Sequence, residues 1–246
     1  GAFITAILYL NKTHPVVKLT TWRLHFERAI FKKSLQIGIP SGIQNTIVSV
    51  GMITLFSIVN TFGANTAAAY SVSLRIDSLA SMIAMNFSAA LSTFVGQNIG
   101  ANKIDRIKKG LVSTLFMSST LVIIMMAIII NFNEQLISLF TNDIDVIRIG
   151  SKYLIIVSSF HLLFSTMFIF NGVMRGAGDT LMPMFFTLIA LWFIRIPVAY
   201  FLSAEIGVTG IWWATPIGWF FGMTATIIYY FTGRWKKRAI VKYNTN

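Results

Sequence analysis

The chain has 246 residues, of which 55% are hydrophobic and only 11% charged, whereas a soluble domain carries roughly 25% charged residues. With a mean hydropathy of +0.72, it lacks the charge to cover a water-facing surface, which excludes an ordinary soluble domain. The net charge is +12, yet the basic residues sit in short segments between apolar runs instead of on one patch, which argues for membrane topology and against nucleic acid as a partner. Cysteine is absent, so no disulfide, thiolate metal site or cysteine nucleophile is available.

Residues 1–10 (GAFITAILYL) are apolar, too short to span a bilayer, and lack the basic lead of a signal peptide. They read as the tail of a preceding transmembrane helix, so the chain is expected to be a fragment. Residues 11–35 read as a cytoplasmic linker. Within it Leu19, Trp22, Phe26, Ala29 and Ile30 fall near helical spacing between charges, the pattern of an amphipathic helix at the headgroup level. An ordinary solvated connecting helix is the alternative. Six spans are then expected at 36–60, 67–97, 109–131, 147–173, 181–203 and 208–232, making a six-helix unit over 36–233 with a basic tail at 234–246. Their apolar runs are continuous, as in IIMMAIIINF, which selects helices over a β-barrel among the structures that satisfy backbone groups in hydrocarbon. The fold class is therefore an all-α integral membrane protein. Pro40 and Pro183 are expected in the first turns of their spans, and Pro197 and Pro216 inside spans, where they bend the helix.

Orientation follows from lysine and arginine in the loops. Lys12, Lys18, Arg23, Arg28, Lys32 and Lys33 precede the first span, and Lys103, Arg106, Lys108 and Lys109 join the second to the third. Arg175 follows the fourth span, and Arg234, Lys236, Lys237, Arg238 and Lys242 follow the last. Alternating spans put all of these on one side, so the C-terminus is expected in the cytoplasm of a multi-pass protein of the plasma (inner) membrane.

Polar side chains within spans are costly in lipid and carry the functional information. On the first span Ser41, Gln44, Asn45, Ser49, Met52, Phe56 and Asn60 form one stripe, which faces either a cavity or a packing seam. Gln44, Asn45, Ser49 and Met52, with Asn86 and the mid-span His161, are the expected cavity wall. Arg75, Asp77 and Arg195 are expected buried charges. Arg75 and Asp77 stand two apart, so they point to different sides of their helix. No HExxH, no GxxxxGK[ST] and no serine–histidine–acid set occurs, so the chain reads as a carrier and not an enzyme, with neither metal nor cofactor expected.

Four segments carry a resemblance. Gly96-Gln97-Asn98-Ile99-Gly100-Ala101-Asn102 with Ile107-Lys108-Lys109, Arg175-Gly176-Ala177-Gly178-Asp179-Thr180, Gly38-Ile39-Pro40-Ser41-Gly42 and Trp192 to Tyr200 resemble motifs of the multidrug and toxic compound extrusion (MATE) transporters. The resemblance implies a twelve-helix, pseudo-symmetric V of two six-helix lobes, of which this chain is helices seven to twelve. It implies export of amphipathic, often cationic small molecules by antiport against Na⁺ or H⁺, with the missing N-terminal lobe and the lipid bilayer as partners. Some members hold a cation on acids of helices seven and ten. Here Thr46, Ile47 and Val48 stand near the first of these positions and the fourth span has no acid, so the coupling ion is expected in the missing lobe. Gly96, Gln97, Gly100, Arg175, Gly176, Gly178 and Asp179 are expected to shape gating loops, the glycines through tight turns and Asp179 as a helix cap. The alternatives are a flippase for lipid-linked sugars and a non-transporting structural six-helix protein.

Overall fold

The computed structural model describes residues 1, 5, 8, 9, 12 and 26–237. Most of the expected first-helix tail and amphipathic linker, including Leu19 and Trp22, and the tail beyond Lys237 lie outside the described residues. The chain divides into two compact units, Gly1–Gln36 and Ile37–Asn246, and apart from the start of α1 the helices described below belong to the second.

Every described element is helical: α1 (Arg28–Asn60), α2 (Ala64–Gly100), α3 (Asp105–Asn131), α4 (Asn133–Ser138), α5 (Ile144–Ser158) and α6 (His161–Gly176). After them come α7 (Leu181–Leu188), a π-helical stretch (Ile189–Arg195), α8 (Ile196–Ile206), α9 (Val208–Phe231) and α10 (Arg234–Lys237). Five stretches are long and apolar enough to cross a membrane: Ser34–Asn60, Ala64–Gly100, Asp105–Asn131, Leu181–Ile206 and Val208–Phe231. The α5–α6 pair, bent by 50° at its break, is long and apolar enough to make a sixth when the two helices are taken as one span. The chain is thus an all-α, multi-pass membrane protein. Its large apolar side chains point outward as much as inward, with Phe116 at 74% and Phe231 at 76% exposure, an arrangement suited to hydrocarbon and not to water.

Three features depart from the sequence reading. The fourth span is not one straight helix over 147–173. It breaks at Ser159 and Phe160, where the Ser159 hydroxyl donates to the Ile155 carbonyl at 2.7 Å and the chain restarts at His161. Phe160 N–H donates to the Val157 carbonyl at 3.1 Å and Leu163 N–H to that of Phe160 at 2.9 Å, three-residue turns that interrupt the four-residue ladder. Pro40 lies inside α1 rather than in its first turn, because the helix begins upstream of the apolar run. The π-helical stretch runs directly into Pro197 at the start of α8, so the ladder widens by one residue where the proline can supply no N–H.

Around a centre of α2 and α6, α3 packs on both and α9 covers the other side of α6, carrying α8 and the π-helical stretch. In lipid no hydrophobic force draws helices together, so close contact and interhelical hydrogen bonds must do so. The α2–α6 seam uses both. A Cβ at Gly172 would fall 2.6 Å from the Ser88 carbonyl oxygen, and one at Gly176 would fall 2.3 Å from that of Ser92. The Ser88 hydroxyl donates to the Phe168 carbonyl at 2.6 Å across the same seam.

Candidate functional site

A cavity of about 280 Å³ opens where α1, α2, α5, α6, the π-helical stretch and α9 converge. Val48 and Met52 line it from α1, Phe164, Met167 and Phe168 from α6, and Trp219 from α9. Methionine and aromatic side chains give a wall that can repack around ligands of different shape. Beside it a stack of rings fills the bundle: Tyr70 lies face to face with Trp212 at 5.3 Å, and Tyr153 meets Trp212 edge-on at 5.0 Å.

Two charged side chains, Asp77 and Arg195, reach this apolar chamber. Asp77 is buried on α2, and its Oδ1 lies 3.4 Å from Nε2 of His161, whose side chain is 1% exposed at the start of α6. The bend at Ser159 and Phe160 opens the helix just before this ring, so His161 begins a new segment instead of continuing the ladder of α5. His161 also packs edge-on against Trp219 at 5.2 Å. Arg195 ends the π-helical stretch, interacts electrostatically with Asp77, and reaches the Met52 sulfur at 3.9 Å. Gly218 on α9 leaves room for it, since a Cβ there would sit 3.0 Å from the Arg195 Cβ.

Asp77 Oδ1, both nitrogens of His161 and Arg195 Nε have no hydrogen-bond partner among the described residues. A charge at mid-membrane costs at least ~2.5–3.5 kcal/mol unless compensated. Here Asp77 lies beside His161 and Arg195 without aligned hydrogen bonds, so its carboxylate is open to pairing with an incoming polar group. Among the described residues no group of three or more histidine and acidic side chains could hold a metal ion.

The expected wall residues are spread over several environments. Met52 lines the cavity and His161 stands behind Asp77. Gln44 is buried and accepts from the Arg175 guanidinium at 3.2 Å, while Asn45, Ser49 and Asn86 are not buried in the described lobe. The Ser49 hydroxyl donates to the Asn45 carbonyl at 2.9 Å. Of the three expected buried charges, Asp77 is buried and Arg195 half-buried, but Arg75 is exposed. A two-residue offset puts it on the opposite face of α2.

The expected loop motifs are more helical than their glycines suggest. Gly96, Gln97 and Gly100 belong to the end of α2, and the chain turns after them with Asn102 at φ 55°. Gly176 closes α6 as a contact point against α2, and only Gly178, at φ 88°, has the left-handed backbone that favours glycine. Asp179 is buried and accepts a 2.5 Å hydrogen bond from the Tyr229 hydroxyl on α9, a partner fifty residues away that sequence spacing does not reveal.

The MatE family model matches residues 40–201. The probable multidrug resistance protein YoeA of Bacillus subtilis is 30% identical over 98% of this chain and 53% of its own length. The probable multidrug resistance protein NorM of Thermotoga maritima is 31% identical over 85% of this chain and 46% of its own. An outward-facing structure of a multidrug resistance MATE family transporter superposes with a TM-score of 0.82 at 21% identity, covering 94% of this chain and 53% of that one. This chain therefore spans about half the length of the relatives it matches.

Proposed function

The chain belongs to the MatE family, and from that premise we propose that it forms one six-helix lobe, helices seven to twelve, of a multidrug efflux antiporter. The observation that carries this reading is the cavity itself: an adaptable wall of methionine, phenylalanine and tryptophan around a single buried acid. Amphipathic cations are the substrates such a site suits, because the wall takes their apolar part and Asp77 their charge. A second lobe completes the chamber, and substrate sits near the midplane between the two. The basic loops and the C-terminus face the cytoplasm of the inner membrane.

Coupling to Na⁺ or H⁺ has two placements. The family resemblance favours an acid in the other lobe. The Asp77–His161 contact favours a second placement within this chain, and for it the coupling ion is a proton. The cluster offers one carboxylate in place of the several oxygens a hard metal cation takes. Substrate and proton then compete for the same carboxylate, which is the logic of antiport.

Ethidium efflux from cells producing the complete transporter, with the Na⁺ and H⁺ gradients collapsed in turn, tests both statements. Efflux that stops with the proton gradient is expected. Efflux that depends on Na⁺ alone removes the second placement and leaves the other lobe as the coupling site. No efflux under any gradient, with the protein present in the membrane, overturns the efflux reading.

A further inference from the structure

Away from the central cavity, a groove of about 610 Å³ runs between α2 and α3 on the surface of the lobe. Phe87 and Phe94 wall it on one side and Met117 on the other. Its shape depends on Gly110, because a Cβ there would lie 2.4 Å from the Phe94 ring. Glycine lets that ring lie against α3 and form the floor. The flanking face of α3 is apolar and open, with Phe116 74% and Met117 56% exposed, as expected of a surface that meets acyl chains.

One end of this apolar groove is cationic. Arg106 and Lys109 line it from the first turns of α3, where the helix dipole disfavours positive charge. Neither forms an ion pair among the described residues, although Asp105 is their neighbour on the same turn. From Arg106 to Met117 the helix rises about 16 Å at 1.5 Å per residue, close to the roughly 15 Å of hydrocarbon in one leaflet. The cations thus stand where headgroups lie and the apolar wall extends for the length of one acyl chain. A soluble anion would use the charges and leave Phe87 and Met117 unused. A zwitterionic lipid would use the wall and offer a phosphate, but its own ammonium offsets that charge, so two cations without ion-pair partners favour a headgroup with net negative charge.

We propose that this groove binds an anionic glycerophospholipid, its phosphate on Arg106 and Lys109 and one acyl chain along Phe87, Phe94 and Met117. Basic recesses between transmembrane helices at the membrane surface suit this ligand, each lysine or arginine strengthening binding several-fold. The site is separate from the transport cavity and does not depend on the efflux reading.

The test is lipid binding to the complete protein in detergent, read by native mass spectrometry during titration with dioleoyl phosphatidylglycerol or dioleoyl phosphatidylcholine. One phosphatidylglycerol is expected to bind saturably, in preference to phosphatidylcholine. The R106Q/K109Q variant should bind it about thirty-fold more weakly. Replacing Lys103 and Lys108, which carry equal charge on the same segment but do not line the groove, should leave binding within about three-fold of the parent. Ala90→Trp fills the groove and keeps both cations, and should lose the lipid as well, which secures the test if the charge variant misfolds. Equal binding of phosphatidylcholine, an equal loss in K103Q/K108Q, or displacement of the lipid by millimolar glycerol 3-phosphate would each overturn the proposal.

Discussion

The two ends of this lobe are built from the same kinds of residue and finished differently. In the half around Leu91, Val95, Ile169, Val173, Tyr229 and Trp235, buried polar groups are matched. Ser88 donates to Phe168, Asn98 to Phe94, Tyr229 to Asp179, Thr226 to Gly222, and Trp235 Nε1 to Tyr230. In the half around Leu55, Tyr70, Tyr153, Leu191, Trp212 and Trp219, Asp77, His161, Arg195, Trp212, Ser151 and Ser158 keep buried polar atoms without a hydrogen-bond partner among the described residues. The cavity, the bend before His161 and the π-helical stretch all fall in this second half. Because an unmatched buried polar group costs about 1–3 kcal/mol, several in one place fit the proposal that this half serves transport and not the hold of the fold. The lesson is a division of labour within one bundle: a packed end that fixes the helices and an under-paired end that can respond to charge.

Substitutions can break or sharpen this contrast. The largest effect belongs to Gly176→Leu at the packed seam. Its side chain runs into the Ser92 carbonyl and Val95, and overpacking of this kind costs about 3 kcal/mol. The protein should fail to accumulate or should melt far below the parent in detergent, and parental melting would show that the seam is not tight. Next is Tyr229→Phe, which takes a donor from buried Asp179 and should cost about 1–3 kcal/mol. It should lower the melting temperature while the order of drug preference in efflux stays the same, and an altered preference would mean that the packed end also contacts substrate. Met52→Ala trims the cavity wall and should reverse that pattern. Efflux of the bulkiest cations should change at least four-fold, since three heavy atoms are lost and one buried CH₂ alone is worth about 0.8 kcal/mol. Melting, for a side chain only partly buried, should fall less than in the two variants above. Arg75→Gln should alter neither readout, because Arg75 stands outside the buried core on the face of α2 away from Asp77.

Much of this was legible in the sequence. The five unbroken spans follow from apolar runs bounded by lysine, arginine and glycine, and their expected limits fall within a few residues of the helices. Asp77, His161 and Arg195 stand out individually because lipid makes each costly. Their meeting does not, since Asp77 and His161 lie far apart in the chain, on helices whose relative rotation no local pattern fixes. Arg75 illustrates the same limit: composition marks a charge within a span but not the face it takes. The break before His161 has no proline or glycine to announce it, and the hydroxyl of Ser159 does there what serines and threonines do in the straight helices too. The glycines at 172 and 176 read as backbone punctuation, whereas in three dimensions they are missing side chains at a helix crossing.

The claim that the under-paired end is the working end is tested most directly by Asp77→Asn in the complete transporter. Asparagine keeps the shape of the side chain and removes its charge and its exchangeable proton. Ethidium efflux is followed in cells, and melting of the purified protein is measured alongside it. The account predicts at least a ten-fold loss of efflux, about 1.4 kcal/mol or more of lost stabilisation during transport, with melting close to that of the parent. Full efflux by the D77N protein would contradict it, and the lobe's polar cluster would then be a structural feature without a part in transport.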